Sequence, residues 1–338
     1  MTSARTPPTS LQQWILLCAT LWFNTGVFLD GWAHNHIPTL ETFFTPWHAV
    51  FYSGYALSAM TLFGITLHNR TARKVSWSEA IPLGYGYALI GVIIFASGGI
   101  FDLAWHEIFG IEKDVEALLS PAHIFLAVGG FLINTANLRA WILDRTMISS
   151  AKLIDHIPML FSATCGIALG NFMTQFSHRV VVRAGGDFPG KEMADVMQSA
   201  AVAGYIVETA LLTAMLLFLA RHRPLPFGSF MFIITLSTAA MGWMLDGIFF
   251  VPGALFTGLV ADILGRKLFP FTEHVLSVRI FSFVVPTMLF LLYFITIALR
   301  EGIWWSVHMW SGSIVFAGLS GLLLSFCFLA PENHSLRA

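Results

Sequence analysis

Stretches of about 20 residues run almost without charge near 12–31, 46–67, 82–104, 121–143, 153–176, 196–220, 227–250, 276–299 and 305–329. A run of that length crosses the hydrocarbon core of a bilayer as one α-helix. The chain therefore reads as all-α, a polytopic integral membrane helical bundle of about nine transmembrane helices. Composition agrees: of 338 residues 56% are hydrophobic and only 11% charged, which excludes an ordinary soluble domain. The net charge of −1 argues against nucleic acid as a partner; the lipid bilayer is the partner implied. Connecting segments are short, so no dedicated soluble domain is expected. The stretch 252–265 is too short to span and reads as re-entrant or interfacial. The first apolar segment lacks a small-x-small cleavage site and reads as a retained anchor. Cys18, Cys165 and Cys327 lie in separate apolar stretches without C-x-x-C spacing and read as core residues.

One short pattern occurs twice, each time at a junction between two apolar segments. The first copy is Asp30-Gly-Trp-Ala-His34 followed by Thr45-Pro46-Trp47-His48; the second is Asp102-Leu-Ala-Trp-His106 followed by Ser120-Pro121-Ala122-His123. An Asp and a His four residues apart share one helix face. Thr or Ser is a good N-cap and Pro suits the first helical position, which places the next His in the first turn of the following helix. Each hairpin thus offers one carboxylate and two imidazoles to a common point. The repeat extends further: a glycine lies four residues before each Asp (Gly26, Gly98) and six after the second His (Gly54, Gly129).

These units divide the chain into a membrane half, 1–145, with two repeated metal-site hairpins, and a half, 146–338, with degenerate echoes. The echoes are Gly242 and Asp246, Phe271-Thr272-Glu273-His274, and Asn171, Gln175 and His178 at another helix end. They suggest four related hairpins, two intact and two decayed or repurposed.

Lys and Arg in short loops set orientation. Up to residue 152 one side carries Arg5, Arg70, Arg73, Lys74, Arg139, Arg145 and Lys152, the other only Lys113. The basic side, with the N-terminus, is expected to be cytoplasmic, in the inner membrane if the source is bacterial. Both Asp/His clusters then face the outer or periplasmic side. In the second half Arg179, Arg183, Lys191, Arg266 and Lys267 fall on the outer side of this arrangement.

Two histidines and a carboxylate form a recurrent transition-metal ligand set with open positions, suited to copper, iron or zinc. Polar groups at headgroup depth are cheap, so a single cluster there is unremarkable; repetition of the whole pattern argues for ligation. The absence of Cys and Met from both signatures argues against a dedicated Cu(I) carrier site. His36 would point off the ligand face. Aromatics crowd both hairpins (Trp32, Phe43, Phe44, Trp47, Phe51 and Tyr52, then Phe101, Trp105 and Phe109), as an interfacial belt or as a hydrophobic shell around a metal. Glu208, in the middle of an apolar segment, needs a partner such as a His, an Arg or a metal. Glu208, Asp246, His178 and His274 are auxiliary candidates.

The segment Leu29-Asp30-Gly-Trp-Ala-His34 … Phe44-Thr45-Pro46-Trp47-His48-Ala-Val-Phe51-Tyr52 resembles the C subunit of the copper membrane monooxygenases, the particulate methane and ammonia monooxygenases. The resemblance covers roughly residues 20–135. It implies that Asp30, His34 and His48 form one copper site and Asp102, His106 and His123 another. It further implies a small apolar substrate, dioxygen and other membrane subunits. The second site departs from the family in having Asp where Asn is usual and a wider separation of its two His. Two other readings stand beside an oxidoreductase: a non-catalytic membrane protein that binds or transports metal, and a structural membrane subunit without metal.

Overall fold

The computed structural model describes residues 5–37, 44–110, 114–144 and 152–329; Phe43, Lys113 and Arg145 lie outside them. The fold is all-α, with α1 (Ser10–His36), α2 (Pro46–Arg73), α3 (Gly86–Phe109), α4 (Pro121–Asn134), α5 (Ala136–Leu143), α6 (Ile157–Met173), α7 (Lys191–His222), α8 (Ser229–Met244), α9 (Val251–Gly265), α10 (Val275–Arg300) and α11 (Val307–Phe328). Short helical turns join them. Among the described residues no strand forms beyond an isolated bridge between Gly185 and Ile303. Among the described residues eight segments are long and apolar enough to cross a membrane, counting Leu153–Met173 and Ile248–Gly265 with their leading turns. The pair α4 and α5, bent by 45°, makes a ninth if taken as one broken span. At that bend Arg139 donates to the carbonyl of Leu132, an acceptor that a straight helix would have used, and to that of Gly84 in the turn before α3.

Two expectations are corrected. The apolar run near 227–250 is not one span: α8 has 16 residues and stops at Met244, where Asp246 takes a left-handed φ of 55°. The following segment, expected to be re-entrant or interfacial, is helical and with its leader Ile248–Phe250 reaches 18 residues. Hydropathy runs unbroken through the Asp246-Gly247 turn signal, so an apolar window merges what the backbone separates. Second, Cys165 is buried but Cys18 and Cys327 are exposed. A helix in lipid turns apolar residues outward as readily as inward.

The described chain forms two compact units. The first comprises Met1–Phe176 with Ala240–Gly247, the second Ser177–Ala239 with Ile248–Ala338. In the first unit α1 pairs with α2 and α3 with α4, and the repeated glycines are the contact points. A Cβ on Gly26 would lie 2.5 Å from Cα of Phe51, and one on Gly54 would lie 2.5 Å from Cα of Phe23. The second hairpin repeats this: a Cβ on Gly129 would lie 2.6 Å from the backbone nitrogen of Phe95, and one on Gly98 would lie 3.1 Å from that of Leu126. Phe23 and Phe95 each stand seven residues before the Asp; Phe51 and Leu126 each stand three after the second His. Small residues let helix backbones approach where lipid gives no hydrophobic drive.

Aromatic rings join the hairpins. Phe23 and Phe95 meet edge to face at 5.2 Å, Phe51 stands 5.7 and 5.4 Å from them, and Tyr55 stacks on Phe95 at 4.5 Å. A buried bond from Asn24 Nδ2 to Asn134 Oδ1, 2.6 Å, ties α1 to α4. At one end of this unit Arg5 donates to the Ser78 carbonyl (2.8 Å) and Arg73 to Thr6 (2.9 Å). The other ends of α1 and α2 carry Asp30, His34 and His48.

In the second unit α8 and α9 run antiparallel. A Cβ on Gly258 would lie 2.4 Å from Cα of Met231, and the Asp262 carboxylate accepts from the N–H groups of Phe230 (3.1 Å) and Met231 (3.0 Å). Arg223, just past α7, and Arg266, just past α9, line one cavity. Arg266 and Lys267 therefore lie at the end where α7 finishes, not on the side opposite Arg221 and Arg223. The helix at 251–265, antiparallel to α8, brings the chain back to that end.

Gly54→Leu is expected to lower stability by about 3 kcal/mol or more, because the new side chain meets backbone. Gly64→Leu is the control, since a Cβ there meets nothing within 4 Å. Thermal unfolding of both variants in detergent is the measurement; equal melting of the two would contradict the packing role of Gly54.

Candidate metal centre

Asp30 and His34 occupy the last two turns of α1, one above the other. Thr45 caps α2, its hydroxyl accepting the His48 N–H at 3.1 Å, with Pro46 at the first helical position. The second hairpin is built alike: Asp102 and His106 end α3, and Ser120 caps α4 by accepting the His123 N–H at 3.3 Å. The chain reversal between cap and preceding helix brings the third ligand across. Carbonyls at the finishing helix favour a cation nearby, and N–H groups at the starting helix favour the carboxylate.

The three donor atoms of each trio lie within 4.8 Å of one another. Nε2 of His48 is 3.4 Å from Oδ1 of Asp30, and Nε2 of His34 is 3.7 Å from Oδ2. Around Asp102 Oδ1, Nε2 of His106 stands at 3.4 Å and Nε2 of His123 at 3.5 Å. Such distances are longer than those of a well-formed hydrogen bond. They suit shared coordination: two donors about 2.1 Å from one ion at a tetrahedral angle are about 3.4 Å apart.

The outer contacts of the imidazoles point the same way. Nδ1 of His106 faces the Gly110 carbonyl at 3.4 Å, and a carbonyl can only accept. Nε2 of the same ring faces the Asp102 carboxylate at 3.4 Å, where a cation between the two would find a donor on each side. Nδ1 of His123 hydrogen-bonds Ser120 Oγ at 2.7 Å; donation in that direction leaves Nε2 as the ligand atom. A metal-binding His characteristically holds its second nitrogen in this way. Oδ1 of Asp30 is buried and finds no hydrogen-bond partner among the described residues. Asp102 is only 2% exposed. A carboxylate so placed is costly unless a charge compensates it.

Tyr52 links the two hairpins. Tyr52 lies one turn after His48 and packs against Gly99, where a Cβ would be 3.2 Å from its hydroxyl. Beneath the clusters lies an aromatic floor of Phe23, Phe51 and Phe95. Phe44 and Phe109 are exposed as a belt would be, while Trp32 packs on Trp47 (6.2 Å) and Trp105 on Phe109 (4.5 Å) beside the ligands.

Of the auxiliary residues none joins a cluster, and among the described residues no third group of this kind forms. Asp246 bonds Nε2 of His36 at 2.7 Å, while Nδ1 of His36 bonds the Trp32 carbonyl, so His36 braces the end of α1. Glu208 is ion-paired with Arg179 and accepts the Arg179 N–H at 2.8 Å, with Nε2 of His178 at 3.5 Å. Arg179 also donates to Thr238 at 3.1 Å. His274 is exposed at the start of α10. The supports at Ser120 and Gly110 and the role of Tyr52 were not anticipated from sequence; the cap positions were the only local signal.

No protein-family model, curated protein or solved structure matches the chain.

Burial pushes the His178 pKa down to about 4, so the ring is neutral beside the Arg179–Glu208 pair. The unfolded chain then takes up this proton first, near pH 6.5, and stability falls as pH drops from there toward 4. Against His178→Gln, the metal-free protein is expected to lose roughly 3 kcal/mol more between pH 7 and pH 4. Denaturation followed across that range checks this; parallel profiles for the two proteins would contradict it.

Proposed function

We propose that this chain is an integral-membrane metalloprotein that binds one cation in each Asp/His/His cluster, copper first, with iron and zinc the other metals the ligand set admits. The observation that carries the reading is the repeated spacing: imidazole Nε2 atoms 3.4–3.7 Å from an aspartate carboxylate in both hairpins, partly buried at Asp30 and buried at Asp102. Asp30 and Asp102 would supply the negative charge, and His34, His48, His106 and His123 neutral imidazole donors. Ser120 and the Gly110 carbonyl would hold ring orientation. Three protein ligands leave positions open for a further group.

The resemblance of residues 20–135 to the monooxygenase C subunit extends the proposal to oxidation of a small apolar substrate arriving from the bilayer. Bound copper would supply one-electron chemistry toward dioxygen. The protein's share is to keep water out below the sites with Phe23, Phe51 and Phe95, and to fix both ligand sets at adjacent helix ends. Other membrane subunits belong to this proposal. The basic residues gathered at the end with Arg5 and Arg73 support a cytoplasmic N-terminus and outward-facing clusters.

A transport function would need polar groups leading inward from the clusters. The aromatic floor speaks against that, and Glu208 is committed to Arg179.

Metal content of the purified protein, by mass spectrometry, is expected to approach two equivalents, and that of Asp102→Ala/His106→Ala about one. Equal content in the two preparations would overturn the second site. Dioxygen consumption with small apolar substrates tests the oxidase reading separately; a metal-replete protein that consumes none would leave only metal binding.

A further inference from the structure

On α2 one face stays exposed toward the end that carries Arg70 and Arg73. Met60, Phe63 and Leu67 stand outward on it, and the same face runs on to Arg70 and Lys74 by steps of three or four residues. Lys74 then takes a left-handed φ of 53°, and the chain folds back through the helical turn Trp77–Ala80. Two contacts hold that turn. Its Ala80 carbonyl accepts from Asn69 Nδ2 at 3.1 Å, and the Trp77 ring stacks on Phe63 at 6.0 Å. Trp77 itself remains 46% exposed.

The Arg70 guanidinium lies over the Trp77 ring at 4.5 Å, and among the described residues no carboxylate pairs with it. The acid nearest in sequence, Glu79, accepts the N–H and the hydroxyl of Ser76 at 3.1 and 2.7 Å and so caps its own turn. A guanidinium stacked on an aromatic ring keeps its in-plane N–H groups for an acceptor, and its fork matches phosphate oxygens. Depth narrows the choice of acceptor. Pro46–Arg73 is long and apolar enough to span, and Arg70 lies in its last turn, which is the depth of lipid headgroups. A small hydrated anion would use the guanidinium and leave the apolar stripe unused; an amphiphile uses both.

We propose that Arg70, braced by Trp77, binds the phosphate of an anionic phospholipid whose acyl chain lies along Met60, Phe63 and Leu67. Lys74, exposed on the same face, adds positive charge. This end of α2 is basic, as the cytoplasmic ends of membrane helices are, so the lipid belongs to that leaflet. The metal clusters lie at the opposite end of α2. The site is independent of them, and its failure would leave them untouched.

The test is native mass spectrometry of the full-length protein in detergent, titrated with phosphatidylglycerol, with phosphatidylcholine and with inorganic phosphate. The wild type is expected to retain phosphatidylglycerol in preference to phosphatidylcholine, and Arg70→Gln to retain about fivefold less of it. Trp77→Leu keeps every charge yet removes the ring under the guanidinium, and about threefold less retention is expected. Equal retention by wild type and Arg70→Gln would overturn the proposal, as would equal retention of the two lipids by the wild type. Full retention by Trp77→Leu would overturn the built site in favour of diffuse attraction to a basic helix end. Displacement of phosphatidylglycerol by millimolar inorganic phosphate would overturn the assignment to a lipid in favour of a free anion. Arg70 and Trp77 are both exposed, so the variants are expected to fold, and the two-lipid comparison needs no variant at all.

Discussion

Backbone contact at glycine sets the register of both hairpins in the first unit, and the ligand geometry follows from that register. With Gly26 against Phe51 and Gly54 against Phe23, α1 and α2 can slide past one another by very little. Four residues beyond Gly26 comes Asp30, and six residues before Gly54 comes His48. The contact therefore delivers the carboxylate and the facing imidazole to the same level. Gly98 and Gly129 do the same for Asp102 and His123. A larger residue at these positions would part the helices before it touched a ligand.

Once in register, each cluster is an electrostatic problem. In each, a carboxylate faces two imidazole Nε2 atoms at 3.4–3.7 Å, and Nδ1 contacts on the far side of His106 and His123 hold those rings in place. A cation resolves this with the donors where they stand. The second unit solves a similar problem without metal: Glu208 is neutralised by Arg179, and His178 stays uncharged beside them. The two solutions differ in geometry. Arg179 and Glu208 are paired directly, whereas the ligand atoms of each Asp/His trio gather within 4.8 Å of one another around a common space.

Much of this was legible in residue order. Helix-length apolar runs announce the bundle, and the Asp-x3-His and Ser/Thr-Pro-x-His units place their ligands because helix periodicity and capping are local rules. The register of paired helices is a tertiary property, yet the matched glycines betrayed it. What escaped was set by turns and by distant partners. Asp246-Gly247 breaks an apolar run that hydropathy reads as continuous. His36 finds Asp246 only through folding, and nothing near Glu208 in sequence names Arg179. The distribution of Arg266 and Lys267 depended on whether 251–265 is a helix, and a stretch of that length is ambiguous until its neighbour is known.

X-ray absorption of the metal-loaded protein at the metal edge tests the central claim most directly. The account predicts only nitrogen and oxygen neighbours near 2.0–2.2 Å, with multiple scattering from about two imidazoles per ion. A sulfur neighbour, or a spectrum without imidazole scattering, would contradict it.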